Sequence, residues 1–133
     1  MTKDHIVKTF DEDLSQLDNL LAEMGGLCEA QLSKVMEAMV KRDVDLASAV
    51  IEGDRRIDEL EKEVDSLAIN LIALRQPMAA DLRMIIASLK VANNLERGGD
   101  YAKNIGKRTI ALSKAPVISS TANSIQRMST MGE

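Results

Sequence analysis

The chain has 133 residues, 45% of them hydrophobic but only 2% aromatic, and a net charge of −4. With one Phe10, one Tyr101 and no tryptophan, the core has to be built from aliphatic residues, Met and Ala; two prolines and seven glycines are too few for the turns of an all-β fold. The acidic balance and the lack of base-stacking side chains argue against a nucleic-acid partner. The lone Cys28 excludes an internal disulfide and a Cys-based zinc cluster, and suits a reducing compartment. No apolar run approaches the roughly 18 residues of a membrane span, and Met1–Phe10 lacks the apolar core of a signal peptide. A cytoplasmic location is expected, with membrane contact only through partners.

The first helix is expected from about His5 to Arg42. Phe10, Leu14, Leu17, Leu21, Met24 and Cys28 recur in steps of four and three and draw one stripe down one face. Gln31 misses a beat, and Leu32, Val35, Met36 and Met39 continue the stripe. Gly25-Gly26 is a weak point, costing on the order of 1 kcal/mol per glycine against alanine. Cys28 lies inside the stripe with no histidine placed to act as its base, so it reads as a small buried hydrophobe and not as a nucleophile.

Asp43 is a natural N-cap for the second helix. That helix has a regular apolar pattern: Leu46, Val50, Gly53, Ile57, Leu60, Val64, Leu67, Leu71 and Leu74. It ends at Arg75-Gln76-Pro77, since proline cannot continue a helix but suits the start of the next. The third helix runs from about Pro77 to Leu112, opening on the stripe Leu82, Ile85, Ile86, Leu89 and Ala92. Ser119 or Ser120 caps a fourth helical segment from Thr121 onward. Three long helices joined by short turns pack as an all-α, antiparallel, up-down-up bundle. Residues 1–114 form this three-helix unit, and 115–133 are expected to be a linker and the start of a partial fourth helix belonging to a further, truncated repeat.

The acids have a pattern of their own. Asp54, Asp58, Glu61 and Asp65 form a stripe beside the Ile57–Leu60–Val64 seam, although like charges at these spacings repel by roughly 0.2–0.5 kcal/mol per pair. On the third helix Glu96 and Asp100 are also four apart, where the apolar seam is expected to turn acidic. If the two helices fold back about Pro77, Asp58 and Glu96 stand equally far from the turn, and so do Asp54 and Asp100. Four clustered carboxylates call for a neutralising cation or for shared protons. The plainer reading is a solvated face with Arg55, Arg56, Lys62 and Arg97 as salt-bridge partners worth little. Oxygen-only ligation suits Mg2+, Mn2+, Ca2+ or ferric iron. A ferritin-type di-iron centre is disfavoured, because it needs histidines and His5, the only one, is terminal.

The stretch Asn94-Leu95-Glu96-Arg97-Gly98-Gly99-Asp100-Tyr101-Ala102-Lys103-Asn104-Ile105 resembles the PhoU family of phosphate-uptake regulators. The family motif, approximately Glu-Arg-Ile-Gly-Asp-x-Ala-x-Asn-Ile, is matched at Glu96, Arg97, Gly99, Asp100, Ala102, Asn104 and Ile105. Gly53-Asp54 with Asp58 and Glu61, and the block Leu74 to Arg83 at the turn, also resemble the family. The resemblance implies a bundle that occurs twice in the full-length protein, with metal clusters on paired acid motifs. Carried over, the ligands are Asp54, Asp58, Glu96 and Asp100, and the metal is divalent or ferric (Fe, Zn, Mg or Mn). It further implies a non-enzymatic cytoplasmic adaptor, often a homodimer, that restrains a phosphate ABC transporter through its ATPase subunit and links it to the sensor histidine kinase of the phosphate regulon. The chain departs from the motif at Gly98, where the family has a bulky aliphatic residue; the Gly98-Gly99 pair either loosens the helix or admits a close neighbour.

Two other classes compete. A purely structural helical module with a solvated acidic face predicts no bound metal. A carboxylate-metal hydrolase or oxidoreductase lacks histidine ligands, a nucleophile elbow and a phosphate-cradling glycine loop. Lys103, Lys107, Arg108 and Lys114 make the end of the third helix positive, which reads as favourable placement of cations near a helix C-terminus.

Overall fold

The structure, a computed structural model, describes residues 3–114, with their side chains from Phe10 onward. It consists of α1 (Lys3–Lys41), α2 (Val44–Arg75) and α3 (Ala79–Lys114), each packed against both others. The expected three-helix bundle is therefore present, with boundaries close to those expected. The fourth segment expected from Thr121 lies outside the described residues. Among the described residues no helix is long and apolar enough to cross a membrane.

Both turns are tight and use a non-glycine residue in the left-handed region. Arg42 has φ 55° and Gln76 has φ 46°. In the first turn Asp43 leaves the left-handed cap in an extended conformation, and its carboxylate accepts from the Leu46 amide at 3.1 Å. That N-cap satisfies one of the free amides of α2. In the second turn Gln76 closes α2, and α3 starts just after Pro77, with the Leu82 amide donating to the Met78 carbonyl at 2.9 Å.

The core runs along the bundle through Leu17, Leu20, Met24 and Cys28 of α1, Ile57, Leu60, Val64, Ala68 and Leu71 of α2, and Ile85 and Ala92 of α3. On α1 the buried stripe keeps its rhythm through Gln31, Val35 and Ala38, so Met36 and Met39 are exposed instead of buried as expected. Gln31 does not interrupt the stripe; it is part of it. Its amide lies across the α1–α2 interface and donates to the Val50 carbonyl. Room for that amide comes from Gly53, because a Cβ there would stand 2.8 Å from the Gln31 Nε2. On α2 the inward positions fall at Asp54 and Ala68, one residue on from the expected Gly53 and Leu67.

The inner face of α3 is made of small residues: Ser88, Ala92, Gly99, Ala102, Gly106 and Thr109 are all buried. The two hydroxyls are satisfied within the helix, Ser88 donating to the Met84 carbonyl and Thr109 to that of Ile105, both at 2.9 Å. So the seam does not turn acidic at Glu96 and Asp100. It continues in small residues, and the acids flank it. Without side-chain bulk α3 approaches both neighbours closely. A Cβ at Gly98 would lie 2.8 Å from the Cys28 Sγ of α1, and one at Gly99 would lie 3.0 Å from Ile57 Cδ1 and 3.1 Å from Asp54 Oδ1 of α2. Gly98 therefore admits a close neighbour, and α3 runs through the glycine pair without a break.

Glycines in open space differ from glycines under contact. Nothing lies within 4 Å of a Cβ at Gly26. We expect Gly26→Ala to raise stability by about 1 kcal/mol from helix propensity alone. Gly99→Val overpacks the α2–α3 seam and is expected to cost roughly 1–3 kcal/mol. Urea-unfolding midpoints of the two variants beside the parent chain check both signs.

Candidate functional site

α2 and α3 lie antiparallel, and Gly99 and Gly106 set the register. Gly99 faces Ile57 and Asp54, and Gly106 faces Ala47 and Ile51. This is the register expected from folding about Pro77, and it brings the acid stripes of the two helices along one groove. Burial grades across that groove. Asp54 is only 3% exposed, Asp58, Glu61 and Glu96 are half-buried, and Asp65 and Asp100 are exposed.

Asp54 is the unusual member. It stands on the inward stripe of α2, between Val50 and Ile57, with the glycine of α3 pressed against it. Its Oδ2 is 3.6 Å from Lys103 Nζ, and its Oδ1 is buried with no hydrogen-bond partner. Burial pushes the Asp54 carboxyl above its ordinary range, and Asp58 adds to this; Lys103 pulls the other way. Glu96 is raised by burial first and then by Asp58, Asp100 and Asp54, while Arg97 pulls the other way. Glu61 is raised by burial, then by Glu96, Asp65 and Asp58. Asp58 and Asp100 thus act on both Asp54 and Glu96.

Their side chains nevertheless stop short of a coordination shell. Among the described residues no group of three or more His, Cys, Asp or Glu side chains is disposed to hold a metal ion. The residues fit a hard cation in chemistry, all donors being carboxylate oxygens, and in one placed ligand atom, the unpartnered Asp54 Oδ1.

The cations near these acids in sequence are mostly used elsewhere or not paired with them. Arg56 points away from the groove and bridges to Glu23 of α1 at 3.0 Å, with Glu59 and Glu63 at 3.4 and 3.8 Å. Among the described residues no ion pair joins Arg55, Lys62 or Arg97 to the four carboxylates; the one that does is Lys103–Asp54. Sequence reasoning assigned Lys103 to the positive end of α3. The signal for its true place was its spacing, three residues from Asp100 and seven from Glu96, which puts all three on one face. Cys28 is buried, and burial pushes its thiol up, as befits a core residue.

In the metal-free chain the raised carboxyls make folded protein bind more protons than unfolded protein, in the window between the ordinary carboxylate range and the raised values. Stability therefore falls as pH rises through that window. We expect urea midpoints in chelator to decline from the carboxylate range toward neutral pH, and Asp54→Asn to flatten the decline. A slope unchanged by that substitution would show that Asp54 does not carry the effect.

Comparison with known proteins returns a consistent match. The family model described as PhoU domain matches residues 21–109. A phosphate-specific transport system accessory protein PhoU homolog of Caulobacter vibrioides is 47% identical over 125 residues, covering 94% of this chain and 54% of that protein. Proteins of the same description from Zymomonas mobilis and Rhizobium meliloti are 49% and 39% identical, covering 78% and 98% of this chain. The chain spans about half the length of these relatives, at 54%, 44% and 55%.

Proposed function

This chain belongs to the PhoU family, and from that premise we propose that it is a regulatory module of phosphate uptake. In this reading it is a non-enzymatic, cytoplasmic adaptor that couples the ATPase subunit of a phosphate ABC transporter to the sensor histidine kinase of the phosphate regulon, working as a homodimer. Its acidic groove takes a divalent or ferric cation on Asp54, Asp58, Glu96 and Asp100. The names of its relatives support the link to phosphate transport. The observation that carries the metal reading is Asp54 Oδ1, a buried carboxylate oxygen without a hydrogen-bond partner, beside Gly99 of α3 and with further acids nearby.

A carboxylate in that position is costly unless something compensates its charge. Asp54 sits on the rigid middle of α2, so it supplies a fixed ligand. Asp58, Glu96 and Asp100 are more exposed and would have to turn inward to complete the ligand set. When bound, the cation neutralises the mutual repulsion across the α2–α3 seam and so tightens it. That gives the adaptor a two-state element on which a partner could act.

The second reading is a structural module that needs no cation, and the Lys103–Asp54 pair favours it, since it neutralises the most buried acid from within. The two separate cleanly. We expect elemental analysis of protein purified without chelator to find bound metal in the parent chain. The variant with alanine at all four acids should have none, and the parent's melting temperature should fall by several degrees in chelator. No metal in the parent, with equal stability of both proteins in buffer and chelator, would establish the structural reading. Capture of the transporter ATPase subunit by the parent and not by the variant would tie the cation to the partner.

A further inference from the structure

The groove gathers its acids without converging them on a point, and the most deeply buried of them already has a cation beside it. We propose that Lys103 is a resident place-holder: its ammonium neutralises Asp54 when no metal is bound and has to leave before a metal ion enters, so this lysine sets the cation affinity of the groove. The inference rests on the reading that the acidic groove takes a metal.

The arrangement has the properties that such a role needs. The pair is off-centre, because Lys103 approaches Oδ2 alone and leaves Oδ1 buried and unpartnered. At 3.6 Å the contact is longer than a well-made charged hydrogen bond. The lysine side chain is 29% exposed, against 4% for Asp54, so the two partners differ in freedom. A four-carbon stem can carry its ammonium to water while the carboxylate stays on α2. The ammonium is paired with Asp54, and Asp58 of α2 and Asp100 of α3 act on that same carboxylate. With the ammonium in place, an incoming dication meets a like charge within a few ångströms; with it gone, the same acids face the ion unopposed.

The test uses the 133-residue chain, with Mn2+ and Zn2+ each titrated alone by calorimetry. Removing the charge in Lys103→Gln is expected to tighten binding by about tenfold or more, while Lys103→Arg, which keeps it, binds no tighter than the parent. Thermal midpoints give a second readout. In chelator Lys103→Gln should melt below the parent, because Asp54 has lost its counter-charge, and with metal its midpoint should rise more than the parent's. If the parent binds metal and Lys103→Gln binds no tighter, the proposal is overturned while the metal reading stands. A gain that survives in the Asp54→Asn, Lys103→Gln double variant overturns it as well, since the gain then arises elsewhere. If neither parent nor Lys103→Gln binds either ion, the metal reading itself falls and takes this one with it.

Discussion

The rest of the molecule depends on how closely α3 can approach its neighbours. Its inner face carries Ala92, Gly99, Ala102 and Gly106 where a conventional bundle helix would carry leucines. A helix with so little bulk on its contact face packs by bringing its backbone close to the neighbouring helices. That approach presses Gly99 onto Asp54 and Ile57, and Gly98 onto Cys28. Desolvation of Asp54 follows directly, because its carboxylate and the Ile57 side chain occupy the space beside Gly99 that a side chain there would have filled. The charge at the floor of the groove and the register of the acids along its walls thus have the same origin.

This origin links packing to the proposed regulation. The α2–α3 seam gains dispersion and apolar burial from Ile57, Leu60, Ile85 and their neighbours, and loses some of that gain to carboxylates that repel one another. A cation, whether the ammonium of Lys103 or a metal ion, decides how large the loss is. The seam is therefore held under an electrostatic load that a small charged species can relieve. In the proposed adaptor role, such a handle would let the stiffness of the seam report on cation binding.

Much of the bundle could be read from the chain, and the reasons are specific. The stripes of α1 and α2 are drawn by large aliphatic residues, which dominate any periodicity. Asp43 and Pro77 mark the turns by known backbone chemistry. Equal distances from Pro77 gave a register close to the one that sets Gly99 against Asp54 and Gly106 against Ala47, since an antiparallel hairpin of two long helices leaves little slack. The inner face of α3 was missed because alanine and glycine do not register as hydrophobic in a pattern, although they pack as core. The same blindness made the seam look acidic when the acids stand beside it. Met36 and Met39 fall outside the buried stripe because Gln31, polar by type, counts as core through its apolar stem and its satisfied amide. Lys103 was missed because helix-end charge is a sufficient local explanation for a lysine, and only the placement of Asp54 reveals the other.

Gln31 and Gly53 belong to different helices, yet neither can be understood alone. The amide of Gln31 reaches the Val50 carbonyl only because position 53 lacks a Cβ. In descent, then, these two positions are one character. A lineage that gains a side chain at 53 must give up the long amide at 31, and one that shortens 31 opens a hole beside Gly53 that a larger residue at 53 could fill. Pairs at these positions across divergent chains should therefore change together, leaving a trace of the α1–α2 contact in ancestry that a single sequence does not contain.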